Sequence, residues 1–165
     1  MLPPRKDNTA LIVVLVVVML VIVPIVASAI LYIMVSGLIS SGPNTSKPVI
    51  TLMLSNETAT AATILVAGAQ PAAVPSNFKV NMEAGSTFGT AVSMPTSPGS
   101  SVNVYVSSFA SPFTVRWGDP GGDGLMSSGD QLIIGYPAGL GTGIALTFFL
   151  IWSDGSTVSQ IGWLS

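Results

Sequence analysis

Ile144-Ala-Leu-Thr-Phe-Phe-Leu-Ile-Trp-Ser153, the dipeptide Asp154-Gly155, and Ser156-Thr-Val-Ser-Gln-Ile-Gly-Trp163 together decide the fold of the larger part of this chain. Ile144, Leu146, Phe148, Leu150 and Trp152 stand at alternate positions and share one face, which is the period of a strand with a buried side. Asp-Gly between two such runs is a hairpin signal, and it favours a type I′ turn, in which both central residues are left-handed. The chain is therefore expected to close on an antiparallel hairpin.

The same texture extends backwards. Val102, Val104 and Val106 alternate with Asn103 and Tyr105, and Phe113, Val115 and Trp117 alternate with Thr114 and Arg116. Short runs rich in Val, Ile, Thr and aromatics predict further strands at 49–55, 60–67, 77–82, 89–94, 101–107, 113–117 and 131–134. They are separated by Gly, Pro, Asn and Ser every eight to twelve residues or so, the spacing of an all-β sandwich. The segments 67–75 and 95–101 read as loops, and no helical period is visible beyond residue 48.

Composition narrows the function. Of 165 residues, 49% are hydrophobic and only 7% are charged, against about 25% charged in an average soluble domain. With no Cys and no His, disulfides, thiolate metal sites, imidazole bases and a Ser-His-Asp triad are all excluded. The five basic residues, Arg5, Lys6, Lys47, Lys79 and Arg116, are scattered and the formal net charge is -2. Nucleic acid needs a clustered basic surface, so it is not an expected partner. The acidic residues form no pair in an apolar setting that would tune one for acid-base work, and the chain does not read as an enzyme.

The N-terminal part has another character. From Asn8 to Ser46 there is no charged residue, and Ala10 to Leu38 reads ALIVVLVVVMLVIVPIVASAILYIMVSGL. This predicts a helix that is apolar on every face and about 44 Å long, more than the roughly 20 residues a bilayer requires. Arg5 and Lys6 precede the run, which places the N-terminus in the cytoplasm. Pro24 would remove a backbone bond and kink the helix, and Ala27, Ser28 and Ala29 form a small-residue patch suited to close helix-helix packing. Residues 40–48, rich in Ser, Gly and Pro, read as a linker. The expected organisation is a basic leader over 1–6, a membrane or filament-core helix over 7–39, that linker, and an outer β-domain over 49–165.

Two motifs remain. Asp119-Pro-Gly-Gly-Asp-Gly-Leu-Met-Ser-Ser-Gly-Asp130 places Asp119, Asp123, Ser127 and Asp130 at positions 1, 5, 9 and 12 of a calcium loop, with the turn Gly124 at position 6. Position 3 is Gly121 and position 12 is Asp instead of Glu, so the alternative is a β-loop whose carboxylates bond their own backbone. Calcium is the one cofactor the sequence suggests. Asn44 and Asn56 each begin an Asn-X-Thr/Ser acceptor pattern for glycosylation. Gly139-Leu-Gly141-Thr-Gly143 lacks the spacing of a dinucleotide turn and precedes a strand instead of a helix.

The basic leader Arg5-Lys6-Asp7, the uninterrupted apolar segment and its ending Ala29-Ile-Leu-Tyr-Ile-Met-Val-Ser-Gly-Leu38 resemble an archaeal type IV pilin. Phe113-Thr-Val-Arg-Trp-Gly-Asp119 and the Gly-turn hairpin at the end are similar to the close of that family's β-domain. The resemblance implies a pilin-like fold: a long N-terminal hydrophobic α-helix followed by an all-β, immunoglobulin-like antiparallel sandwich. It also implies a class III signal peptide cut by a prepilin peptidase near Arg5, Lys6 and Asp7. The membrane-held precursor would then be polymerised by the pilus assembly machinery into a homopolymeric, adhesive, cell-surface filament. An archaellin-like subunit and a single-pass surface binding protein that does not polymerise stay open as alternatives.

Overall fold

Alternation of apolar and polar side chains becomes ten strands in the computed structural model, which describes residues 46–165. In chain order they are β1 (Val49–Glu57), β2 (Ala61–Gln70), β3 (Phe78–Ala84), β4 (Thr87–Phe88), β5 (Val92–Ser93), β6 (Ser101–Val104), β7 (Phe113–Gly118), β8 (Gln131–Gly135), β9 (Ala145–Trp152) and β10 (Thr157–Leu164). One sheet has the order β1-β2-β8-β7-β6. The other runs β10-β9-β3, with β4 and β5 both pairing the free side of β3. All pairings are antiparallel.

Neither sheet is built from consecutive strands alone. The chain makes the β1-β2 hairpin, crosses to β3, and returns as the β6-β7-β8 meander that docks against β2. It then crosses again to the β9-β10 hairpin, whose β9 lies against β3. Each crossing is set by which faces are apolar. Ile64, Val66, Val115, Trp117 and Ile134 of the first sheet and Phe78, Val80, Met82, Phe148 and Leu150 of the second are fully buried in a common core. Each such side chain contributes about 1.5–3 kcal/mol on leaving water. The Phe78 and Trp152 rings meet edge to face at 5.0 Å, a geometry that places a positive ring edge on a negative face.

The expected strand over 89–94 is interrupted. Phe88 pairs Glu83 and Ser93 pairs Lys79, but between them Gly89, whose N–H donates to the Met82 carbonyl of β3 at 2.7 Å, also bridges Val106. A Cβ at Gly89 would lie 2.9 Å from both Asn81 Oδ1 and the Tyr105 carbonyl, so the backbones approach this closely only because the residue is glycine. The same bridge ends β6 at Val104, short of the expected Ser107.

The closing hairpin forms where the dipeptide placed it, with a different turn. Gly155 has φ +88°, whereas no residue other than glycine has positive φ among the described residues, so Asp154 is right-handed and the turn is not type I′. Gly155 N–H donates to the Trp152 carbonyl at 2.9 Å and Trp152 N–H to the Ser156 carbonyl at 2.8 Å. This is a three-residue loop made of a type I turn and one left-handed glycine.

The fold class expected from the sequence, a long hydrophobic α-helix leading into an immunoglobulin-like sandwich, is corrected to an antiparallel β architecture. Among the described residues no helix is long and apolar enough to cross a membrane, and the one helical piece is the 3₁₀ turn Pro75–Asn77. The reason is the period-two patterning of this part of the chain, which carries no 3.6-residue stripe for a helix to bury. The helix expected over 7–39 lies outside the described residues. So do Arg5, Lys6, Asp7, Pro24, Ala27, Ser28, Ala29 and Asn44.

Candidate functional site

The acidic loop is the connection between β7 and β8. Gly118 and Gln131 are register partners, so residues 119–130 form the closed end of a long hairpin. Asp119 turns back into it: Oδ1 accepts from Gly122 N–H at 2.6 Å and Oδ2 from Gly124 N–H at 2.8 Å. Asp123 Oδ1 accepts from Leu125 N–H at 2.8 Å. Gly124, with φ +71°, takes a conformation that a side chain would strain, and this presents its N–H to Asp119.

Asp130 behaves differently. Only 1% of it is exposed, and it is the one buried charged residue among those described. Its Oδ2 accepts from the Trp117 indole Nε1–H at 3.0 Å and from Ser127 N–H at 3.1 Å. Burial pushes this carboxyl above its ordinary value. The Ser127 and Trp117 hydrogen bonds pull against that shift, and the neighbouring charges of Asp119 and Asp123 add to it. The loop is also held from outside. Ala73 and Met126 exchange backbone hydrogen bonds, Met126 is fully buried, and the Ser128 hydroxyl donates to the Ala67 carbonyl at 3.1 Å.

The structure thus brings Asp119, Asp123, Ser127 and Asp130 into one loop, with their carboxylates committed to backbone N–H groups and to Trp117. Among the described residues no group of three or more Asp or Glu side chains converges where a metal ion could be held. Asn56 lies exposed on β1 beside a bulge, and the Thr58 hydroxyl of its acceptor pattern donates to the Ala61 carbonyl at 3.0 Å.

Two polar contacts escaped the sequence reading. One is Trp117 with Asp130, diagonal neighbours across the β7-β8 register. The other joins the two sheets: Trp163 Nε1–H donates to Tyr136 Oη at 2.7 Å, and the Tyr136 hydroxyl donates to Glu57 Oε1 at 3.1 Å. Burial raises Tyr136 to about 12, opposed by the Trp163 hydrogen bond and aided by Glu57. No spacing rule links residues so far apart in the chain, and only the first contact could have been found, by aligning β7 against β8. No side-chain polar atom is buried without a partner among the described residues, so these groups act as ties within the fold. Comparison with family models, with curated proteins and with solved structures finds no match to this chain.

Proposed function

We propose that the chain is a structural subunit of an archaeal type IV pilus-like surface filament, adhesive in function, polymerised through its apolar N-terminal segment with the β-domain outermost. The observation that carries this reading is the stretch from Asn8 to Ser46, which has no charge and whose apolar part exceeds the length a bilayer needs. A membrane anchor requires only enough apolar residues to cross lipid. A segment that leaves lipid for the core of a fibre must be uncharged on every face, because each unpaired ion buried there would cost several kcal/mol. The leader Arg5-Lys6-Asp7 is where a prepilin peptidase would cut before the assembly machinery extracts the subunit from the membrane. The low charge of the β-domain and its tied-down polar groups suit an outer sheath that displays surface without performing chemistry.

Intact mass and N-terminal sequencing of protein sheared from the surface of native cells test the reading. The expected result is a sheared-fraction protein beginning near Asp7, with any added mass assignable to Asn44 and Asn56. A protein that stays in the membrane fraction with Arg5 and Lys6 still attached overturns it in favour of a single-pass surface protein.

A further inference from the structure

β9 is apolar on both sides. Its inner positions Leu146, Phe148, Leu150 and Trp152 fill the core, yet its outer positions include Phe149 and Ile151, both only half-buried. A strand with one solvated face alternates apolar with polar, so apolar residues on both faces mark a strand that is covered on both. Phe88 of β4 extends the outer patch: it is 61% exposed and its ring lies 5.8 Å from that of Phe149. Along β3 the same outer face carries Lys79, Asn81 and Glu83 in a row beside the aromatic pair. Beyond their backbone ladder bonds, neither the Lys79 ammonium nor the Glu83 carboxylate has an ion-pair or hydrogen-bond partner among the described residues.

We infer that this face binds the same face of a second copy of the chain, through a two-fold axis lying across the strands along the row Asn81, Phe149 and Gln160. These three residues are register partners in β3, β9 and β10. Rotation about that row places Phe149 on Phe149 of the other copy and sets Lys79 of each copy against Glu83 of the other. The surface is self-complementary, as an isologous contact requires. The apolar segment of another chain would cover Phe88 and Phe149 equally well, but it would leave Lys79 and Glu83 desolvated without counter-charges, an unfavourable burial. Charge therefore selects the second copy, and fixes its register more than its affinity. An isologous contact closes at two copies and cannot propagate a fibre, so it is separate from polymerisation and joins β-domains pairwise, within one assembly or between two. The inference does not depend on the filament reading.

The absence of cysteine allows a direct test on the full chain in detergent micelles. Gln160→Cys puts a thiol on the axis, while Ser101→Cys puts one on the outer face of the other sheet. A short bis-maleimide suits the separation of about 10 Å between packed sheets. The expected result is a cross-linked dimer from Gln160→Cys and little from Ser101→Cys. Adding Glu83→Lys to Gln160→Cys should lower the dimer yield about tenfold through like-charge contact with Lys79. The double exchange Lys79→Glu with Glu83→Lys should restore it. Equal cross-linking at the two thiol positions, no dimer at Gln160, or a yield indifferent to the charge exchange overturns the inference. Because the restoring variant carries both changes, loss from misfolding is distinguished from loss of the contact. None of these outcomes bears on leader cleavage or recovery in the sheared fraction, which test the filament reading separately.

Discussion

Two aspartates close glycine-rich turns in this molecule, and they respond to folding in opposite ways. Asp130 ends the β7-β8 loop with 1% of its surface exposed and its carboxyl raised, chiefly by burial. Asp154 occupies the β9-β10 turn in full contact with water. Its carboxyl is lowered, chiefly by the hydrogen bond from the Ser156 hydroxyl and then by that from Ser156 N–H at 2.8 Å. Both accept two hydrogen bonds through one oxygen, so bond count does not separate them. Solvent does. Where water is excluded, the charged form loses more hydration than two donors return; where water remains, the donors act unopposed.

The most severe way to break this comparison is to remove the wall that keeps Asp130 dry. Trp117→Ala opens a cavity in the core and takes away one donor, with an expected loss of about 4 kcal/mol in urea unfolding followed by far-UV circular dichroism. A milder break removes the carboxylate. Asp130→Ala leaves the Trp117 and Ser127 N–H groups without an acceptor and should cost about 2 kcal/mol, the relief of a buried charge offsetting part of the loss. In the exposed turn, Gly155→Ala forces a side chain into φ +88°. It should cost about 1 kcal/mol with no change in the pH dependence of unfolding.

The smallest effect sharpens the comparison most. Because burial holds the Asp130 carboxyl above its ordinary value, the folded state binds the proton more tightly than the unfolded chain. That contribution is fully present below the unfolded value and is lost as pH rises through the folded one. Asp154 has the reverse sign: its contribution is present above the unfolded value and disappears as pH falls through the lowered folded value. Unfolding midpoints for wild type, Asp130→Asn and Asp154→Asn across the acid range should give wild-type-minus-variant differences that slope oppositely. Relative to its variant, wild type gains towards acid at Asp130 and loses towards acid at Asp154. Parallel slopes would show that burial does not govern the first site.

Much of the β-domain was legible because its signals are local. A period of two in Phe113, Val115 and Trp117 or in Leu146, Phe148, Leu150 and Trp152 reports which face meets a core, whatever that core contains. Asp154-Gly155 located a hairpin for the same reason, but it did not specify the turn. The two-residue type I′ loop and the three-residue loop of a type I turn with a left-handed glycine differ by one loop residue and in the handedness of Asp154, and strand register settles which forms. The interruption at Gly89 was hidden because it depends on the approach of Tyr105 and Asn81, neither of them adjacent in the chain. The acidic loop was visible as a spacing of oxygens. Spacing does not say where an oxygen points, and Asp130 points to an indole that comes before the loop begins.

Alone, then, the sequence determined the charge-free N-terminal stretch, the absence of cysteine and histidine chemistry, and the strand periodicity, since each follows from residue identity within a short window. Tertiary structure decided which strands pair, how Trp117 dries Asp130, that Tyr136 links Glu57 to Trp163 across the two sheets, and that Phe149 and Ile151 are left on an outer face beside the row Lys79, Asn81 and Glu83. Those outcomes depend on contacts between distant segments. Their energies come from excluding water, and water is excluded only where the packed chain closes over a site.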